Sequence, residues 1–207
     1  FKLSRTSVTS DYLQRLATAA VRELIVISPY FVPRKEGVDF FAALVKRGVN
    51  VIIITNSLAS TNHASVHAVY ARYRKPLLQH GVQLFELRAR SESAEARTKL
   101  TLHSKVATVD RQRLFVGSFN LDPRSLYLNT EMGMMVESSE LAESMATSIL
   151  VSLTESSYRL RLSERGKLQW VLQTTDVEEV ITTEPQSGAW LRFRTWLLGL
   201  LPIEEQM

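Results

Sequence analysis

His103-Ser104-Lys105, then four residues, Asp110, then six residues, Gly117-Ser118-Phe119-Asn120 is the stretch that decides how this chain is read. Written H-x-K-x4-D-x6-G-S-x-N, it gathers a nucleophile, a cation and several hydrogen-bond donors in a short span, and its fixed offsets make it a specific motif. The residue types suit a phosphodiester. A histidine can attack phosphorus or protonate a leaving oxygen near neutral pH. A lysine carries a compact charge for a non-bridging phosphate oxygen. Ser118 and Asn120 can donate hydrogen bonds to the same group.

Local pattern predicts one surface for these residues. Leu102 to Val109 reads as a strand, which puts His103 and Lys105, two apart, on the same face. Arg111-Gln112-Arg113 is a polar turn, and Leu114-Phe115-Val116 a buried returning strand. Gly117 is expected to let the backbone approach a ligand. Asp110 falls at the turn, where an aspartate more often caps backbone than does chemistry.

Outward from the motif, strands and helices alternate. Helical spacing covers Asp11 to Arg22, Gly37 to Arg47 and, as one long helix, Asn62 to Gln79. Leu24 to Ser28, Val49 to Ile54, Val82 to Leu87 and Glu131 to Val136 read as strands. Ser139 to Ser152 is helical with Ser139 as N-cap. Arg88 to Lys99 is a polar loop expected near the site. The order predicts an α/β fold with a mixed, largely parallel sheet sandwiched between helices. Arg72, Arg74 and Lys75 read best as a solvated helix face, with lipid phosphate binding as the second reading. His67 reads best as a packing residue, with lining of a substrate pocket as the second reading.

Composition narrows the classes. The chain has 207 residues, 45% hydrophobic and 22% charged, enough for a single large domain. Its net charge of +4 is compatible with an anionic lipid surface or nucleic acid. With no cysteine, disulfides and thiolate zinc sites are excluded. No apolar run reaches the ~18 residues of a membrane span. The segment 188–207 contains Trp190, Arg192, Phe193, Arg194 and Trp196 among leucines. It suits an amphipathic element lying among lipid headgroups, or a helix docked on the sheet burying the same residues.

The motif resembles the signature of the phospholipase D superfamily. The likeness continues at Glu131 in Asn129-Thr130-Glu131-Met132-Gly133, at Ile27-Ser28-Pro29-Tyr30-Phe31-Val32-Pro33, and at Leu200 to Gln206. It is nearest to bacterial cardiolipin synthases of the C type. The resemblance implies a phosphatidyl group transferred through a phosphohistidine to phosphatidylglycerol, with glycerol or ethanolamine displaced. His103, Lys105, Ser118, Asn120 and Glu131 would be catalytic, Asp110 and Gly117 structural. No cofactor or metal is implied. Expected partners are phosphatidylglycerol, phosphatidylethanolamine and the cytoplasmic face of the bacterial inner membrane; nucleic acid is not expected.

Family members build one active site from two such motifs. Of the four histidines here, only His103 is followed two residues later by lysine. The chain is therefore expected to be the second half of a longer enzyme, completed by a first half or by a second copy. In two-motif synthases the first-half histidine is usually assigned as nucleophile, which would make His103 the general acid and base; the sequence leaves both roles open. The alternatives are a phospholipase D using water, a homodimeric phosphodiesterase or nuclease, and a non-catalytic membrane-binding module.

Overall fold

The computed structural model describes residues 8–89, 100–173 and 177–201. Its backbone is a nine-stranded sheet in the order β6-β5-β4-β1-β2-β3-β7-β8-β9. The strands are β1 (Glu23–Ile27), β2 (Asn50–Asn56), β3 (Gln83–Leu87), β4 (Val106–Val109), β5 (Arg113–Gly117), β6 (Gly133–Glu137), β7 (Ser157–Leu162), β8 (Leu168–Gln173) and β9 (Glu178–Ile181). The helices are α1 (Val8–Thr18), α2 (Arg34–Lys46), α3 (Ala64–Tyr70), α4 (Arg74–Gln79), α5 (Pro123–Tyr127), α6 (Ser139–Ser156) and α7 (Ala189–Gly199).

The mixed α/β class is as expected, but the balance of directions is not. Only β1–β2 and β2–β3 pair in parallel. The other six pairings are antiparallel. Helices α2, α3 and α4 connect the three central strands as parallel neighbours, whereas short turns reverse the chain between β4 and β5 and between β7 and β8, α5 lies between β5 and β6, and the long α6 leads from β6 to β7.

Side-chain alternation explains why the centre is buried on both faces. Leu24, Val26, Val51, Ile53 and Leu84 face one core with Leu16, Phe41, Leu44, Tyr70 and Leu77 from α1 to α4. Ile25, Ile52 and Ile54 face the opposite core, where Ala142, Ala146, Ile149 and Leu153 of α6 cover them. The small Ala142 and Ala146 let α6 lie close to the sheet. Such near-continuous apolar strands are the mark of doubly covered parallel strands.

Two expected helix boundaries move for physical reasons. The long helix over 62–79 is two helices broken at 71–73. Pro76 has no N–H for the Arg72 carbonyl and its ring crowds that group, so the helix restarts at Arg74. The cap of α6 is Ser138, whose hydroxyl accepts the Leu141 N–H at 3.3 Å, rather than Ser139. The expected loop at 88–99 lies mostly outside the described residues. Nothing in the sequence reading anticipated β7, β8 and β9, which extend the sheet beyond β3.

Candidate functional site

The carboxyl ends of β1 and β2 and the entrance to β4 meet at one edge of the sheet, the place where open α/β sheets commonly present ligand sites. Hydrogen bonds stitch the loops there. The Leu121 N–H donates to Ser28 Oγ at 3.0 Å, and Val32 N–H donates to Leu121 O at 2.7 Å. Asn56, buried at the end of β2, donates to Pro29 O at 3.3 Å and to Leu102 O at 3.1 Å. Its amide oxygen accepts Leu102 N–H at 2.9 Å. One side chain thus substitutes for a strand partner beside Leu102, one residue before His103.

That substitution is needed because β4 begins at Val106, not at Leu102. His103 and Lys105 lie in the irregular approach to the strand. His103 is exposed. Lys105 Nζ donates to His103 O at 2.9 Å. The Lys105 carbonyl accepts Gly117 N–H at 3.1 Å, so the H-x-K segment and the G-S-x-N loop remain adjacent across the continued β4–β5 pairing. Partial burial lowers the Lys105 pKa, while the nearby Glu131 and Asp122 carboxylates oppose that shift. A partly desolvated ammonium acts on a phosphate more strongly than one in bulk water.

Glu131 gathers the other polar residues. It accepts hydrogen bonds from the Ser118 hydroxyl, from Ser125 Oγ at 2.8 Å and from Asn129 Nδ2 at 3.2 Å. Ser118 Oγ also accepts Met132 N–H at 3.0 Å, and Ser125 Oγ accepts Asn120 N–H at 3.2 Å. A phosphate oxygen arriving at Ser118 would compete with Glu131 for the hydroxyl proton. The Asn120 amide oxygen is buried and makes no hydrogen bond among the described residues.

Asp122 was not anticipated. It caps α5 by accepting Ser125 N–H at 2.8 Å. Burial raises its pKa, backbone N–H groups oppose this, and Glu131 adds to the rise. The signal was visible as Asp122-Pro123-x-Ser125, an N-cap followed by proline at the first helical position.

Gly117 is closely packed within the protein. A Cβ there would stand 2.5 Å from Met132 O and 2.8 Å from the Phe115 ring. At Gly133, directly opposite, it would stand 2.2 Å from the same ring. The two glycines make room for Phe115 and the neighbouring strand.

Asp110 sits at the opposite end of β4 from Lys105, in left-handed conformation with φ 53. Its carboxylate accepts backbone N–H groups from Arg22 at 2.7 Å, Glu23 at 2.9 Å and Val21 at 3.0 Å. Burial would raise its pKa; those N–H donors and Arg22 outweigh it and hold the carboxyl below its usual 3.8.

Trp190 and Trp196 are 72% and 60% exposed, with the Phe193 ring between them at 5.9 and 6.1 Å. Helix α7 docks on α3, not on the sheet. Arg72 donates to the carbonyls of Gly199 and Leu201. Arg192 donates to Ser187 O at 2.6 Å, whereas Arg194 is exposed. Residues 202–207 of the C-terminal segment lie outside the described residues.

Arg74 corrects the reading of a solvated basic face: it is buried, paired with Glu86 at 2.8 Å and Glu184 at 2.5 Å, and hydrogen-bonded to His67. Among the described residues, no group of three His, Asp or Glu is arranged to hold a metal ion. No described helix is long and apolar enough to cross a membrane.

Residues 12–150, from α1 into α6, match the family described as "Cardiolipin synthase, PLD-like domain". Cardiolipin synthase C of Escherichia coli is 36% identical over 98% of this chain and 45% of its own length. The chain spans less than half the length of the curated relatives it matches. Among solved structures, the phospholipase D family member Nuc from Salmonella typhimurium is similar with a TM-score of 0.56 at 18% identity, covering 73% of this chain and 90% of that one. Phosphatidylserine synthase of Haemophilus influenzae also gives 0.56, at 14% identity, over 73% of this chain and 36% of that one. These structural likenesses show the fold; the family match over residues 12–150 and the 36% identity over nearly the whole chain establish that it belongs to the cardiolipin synthase, phospholipase D-like domain family.

Proposed function

We propose that this chain supplies one motif of a phosphatidyltransferase of phospholipid biosynthesis, moving a phosphatidyl group to phosphatidylglycerol through a phosphohistidine. The observation that carries this reading is the adjacency of His103-x-Lys105 and the Ser118–Asn120 loop, held by the Gly117–Lys105 backbone bond. In the first step an imidazole nitrogen attacks phosphorus and the donor lipid's alcohol leaves with a proton from a second imidazole. In the second step the phosphatidylglycerol hydroxyl gives that imidazole its proton and attacks the same phosphorus, releasing the first histidine. His103 is one of the two. The other belongs to a first half of the protein or to a second copy. Lys105 offsets charge on the non-bridging oxygens in both steps.

In this reading the phospholipid substrates put the chemistry at a membrane surface, which we assign to the cytoplasmic side of the bacterial inner membrane. The exposed Trp190–Phe193–Trp196 row supports contact with it, since aromatic side chains favour the headgroup level. Arg194 would stay among anionic headgroups.

The test is full-length protein on vesicles of phosphatidylglycerol with and without phosphatidylethanolamine, with products identified by mass spectrometry. Folded His103→Ala should lose nearly all transfer. Near wild-type turnover by that variant would overturn the site. Phosphatidic acid in place of cardiolipin would make water the acceptor and the protein a phospholipase.

A further inference from the structure

A cavity of about 260 Å³, with Lys105 in its wall, is lined by residues of α1, α2, β1, β4 and β5. Its walls are mainly apolar: Leu13 and Ala17 of α1, Phe40 of α2, Ala107 of β4, and Phe115 and Phe119 around the G-S-x-N loop. Ser28, Arg34, Glu36 and Lys105 also line it.

We propose that this cavity is an acyl-chain subsite: part of one fatty-acyl chain of an anionic phospholipid lies in it while the lipid phosphate is held at Lys105. The inference rests on the transferase reading and deepens it. Three observations converge. First, Lys105 belongs to both the site and the cavity wall, so a lipid whose phosphate is held by its ammonium has a tail within reach of the cavity. Second, the lining fits a hydrocarbon. A nucleobase or sugar there would leave donors and acceptors facing leucine, alanine and phenylalanine, which costs free energy that a methylene chain does not incur. Third, the dimensions fit part of a chain. From Lys105 to Val109, which also lines the cavity, β4 advances four residues, roughly 13 Å at strand spacing. At roughly 30 Å³ per water-sized group, 260 Å³ holds about nine. The remainder of a long acyl chain would stay outside, towards the bilayer.

The arrangement gives a basis for choosing lipids among phosphodiesters. Every buried methylene improves binding about fourfold, so a tail held here raises the occupancy of long-chain substrates over short ones carrying the same headgroup.

The experiment uses the full-length protein and phosphatidylglycerol whose acyl chain ends in a photoactivatable diazirine. Illumination followed by peptide mapping should label residues of α1, α2 and β5 that line the cavity. Two filling substitutions from opposite walls, Ala17→Phe and Ala107→Leu, should each lower the ratio of long-chain to dihexanoyl phosphatidylglycerol turnover at least about tenfold, with thermal melting checked for each. An unmoved ratio in a folded variant, or labelling confined to residues elsewhere, overturns the subsite. If neither variant folds, the wild-type labelling pattern decides. Wild-type protein that turns over neither lipid but cleaves bis(p-nitrophenyl) phosphate overturns the transferase reading itself. Melting raised by both substitutions, without labelling, means that the cavity is unfilled packing space and the proposal fails.

Discussion

Replacing Asp110 should act on stability rather than on chemistry. The carboxylate accepts N–H groups from Val21, Arg22 and Glu23, the three residues that lead into β1. Hydrogen bonds to a charged group are each worth about 1.5–3 kcal/mol. Val21 and Arg22 are exposed, so water can satisfy their N–H groups in a variant, and the combined loss falls to about 2–3 kcal/mol. Alanine adds about 1 kcal/mol because φ is 53 at this position. Asp110→Ala should therefore lose about 3–4 kcal/mol, or about 6–16 °C in melting temperature at ~2–4 °C per kcal/mol for a chain of this size. Asp110→Gly loses the same acceptor without the backbone penalty and should be about 1 kcal/mol less destabilised than the alanine variant, the reverse of the usual order. The pH dependence follows in sign. The folded carboxyl lies below its usual 3.8, so its contribution is complete above that value and is lost as pH falls through the folded pKa. Thermal melts of the variants at pH 7 and across pH 2–4 provide the assay. An alanine variant melting with wild type at pH 7, or a deficit unchanged below pH 3, would refute the reasoning.

Lys105→Ala in the full-length protein should lose most phosphatidyl transfer while melting normally; transfer within a few-fold of wild type would remove Lys105 from the site. Asn56→Ala should lower kcat in the protein that remains folded, because it frees Leu102 next to His103, and should leave the melting temperature below wild type. Arg74→Met strands Glu86 and Glu184 in the interior and should cost about 3–5 kcal/mol, read by denaturant titration. Replacing Trp190 and Trp196 together with Ala should weaken sedimentation with anionic vesicles and leave melting near wild type, since both rings are mostly exposed; native sedimentation would exclude α7 as the membrane contact.

Much of this molecule is legible in the residues, and the failures have definite causes. The strands β1 and β2 stand out because β-branched residues fill both faces. The motif also specifies its neighbours, since Lys105 and Gly117 lie opposite one another once β4 and β5 pair. Long-range pairing is a different matter. The strand directions depend on which strand β4 joins, and β4 enters beside β1 in the antiparallel sense with no local sequence sign of that partner. Arg74 reads as a surface cation until Glu86 and Glu184 are seen, one of them more than a hundred residues away. Asn56 is equally opaque, because its importance lies in supplying both a donor and an acceptor to a distant backbone. The Pro76 break and the Ser138 cap, by contrast, follow local rules and were within reach of the sequence.

The Arg74 cluster explains how the chain carries its last strands and α7 beyond the matched domain. Glu184 lies between β9 and α7, and its carboxylate meets Arg74 and His67 from the break between α3 and α4. Burial would raise the Glu184 pKa, but Arg74 and His67 bring it down to about 2. Its contribution is present above 4.5 and is lost as pH falls towards 2. Glu86 completes the cluster from β3, accepting Trp170 Nε1–H from β8 at 2.8 Å. The same guanidinium lies over the Tyr70 and Trp170 rings. One buried cation therefore ties a helix junction, a parallel strand, an antiparallel strand and the strap before α7. Such a cluster is a costly way to gain stability, since matched apolar residues often do as well. What apolar residues lack is direction: the charges accept one register of strap, strand and helix. That register fixes where the strap delivers α7, whose Trp190, Phe193 and Trp196 stay uncovered while Thr195 turns inward. The aromatic row thus follows an ion pair at the start of its own strap, and loosening Arg74 should lower stability and sedimentation with anionic vesicles together.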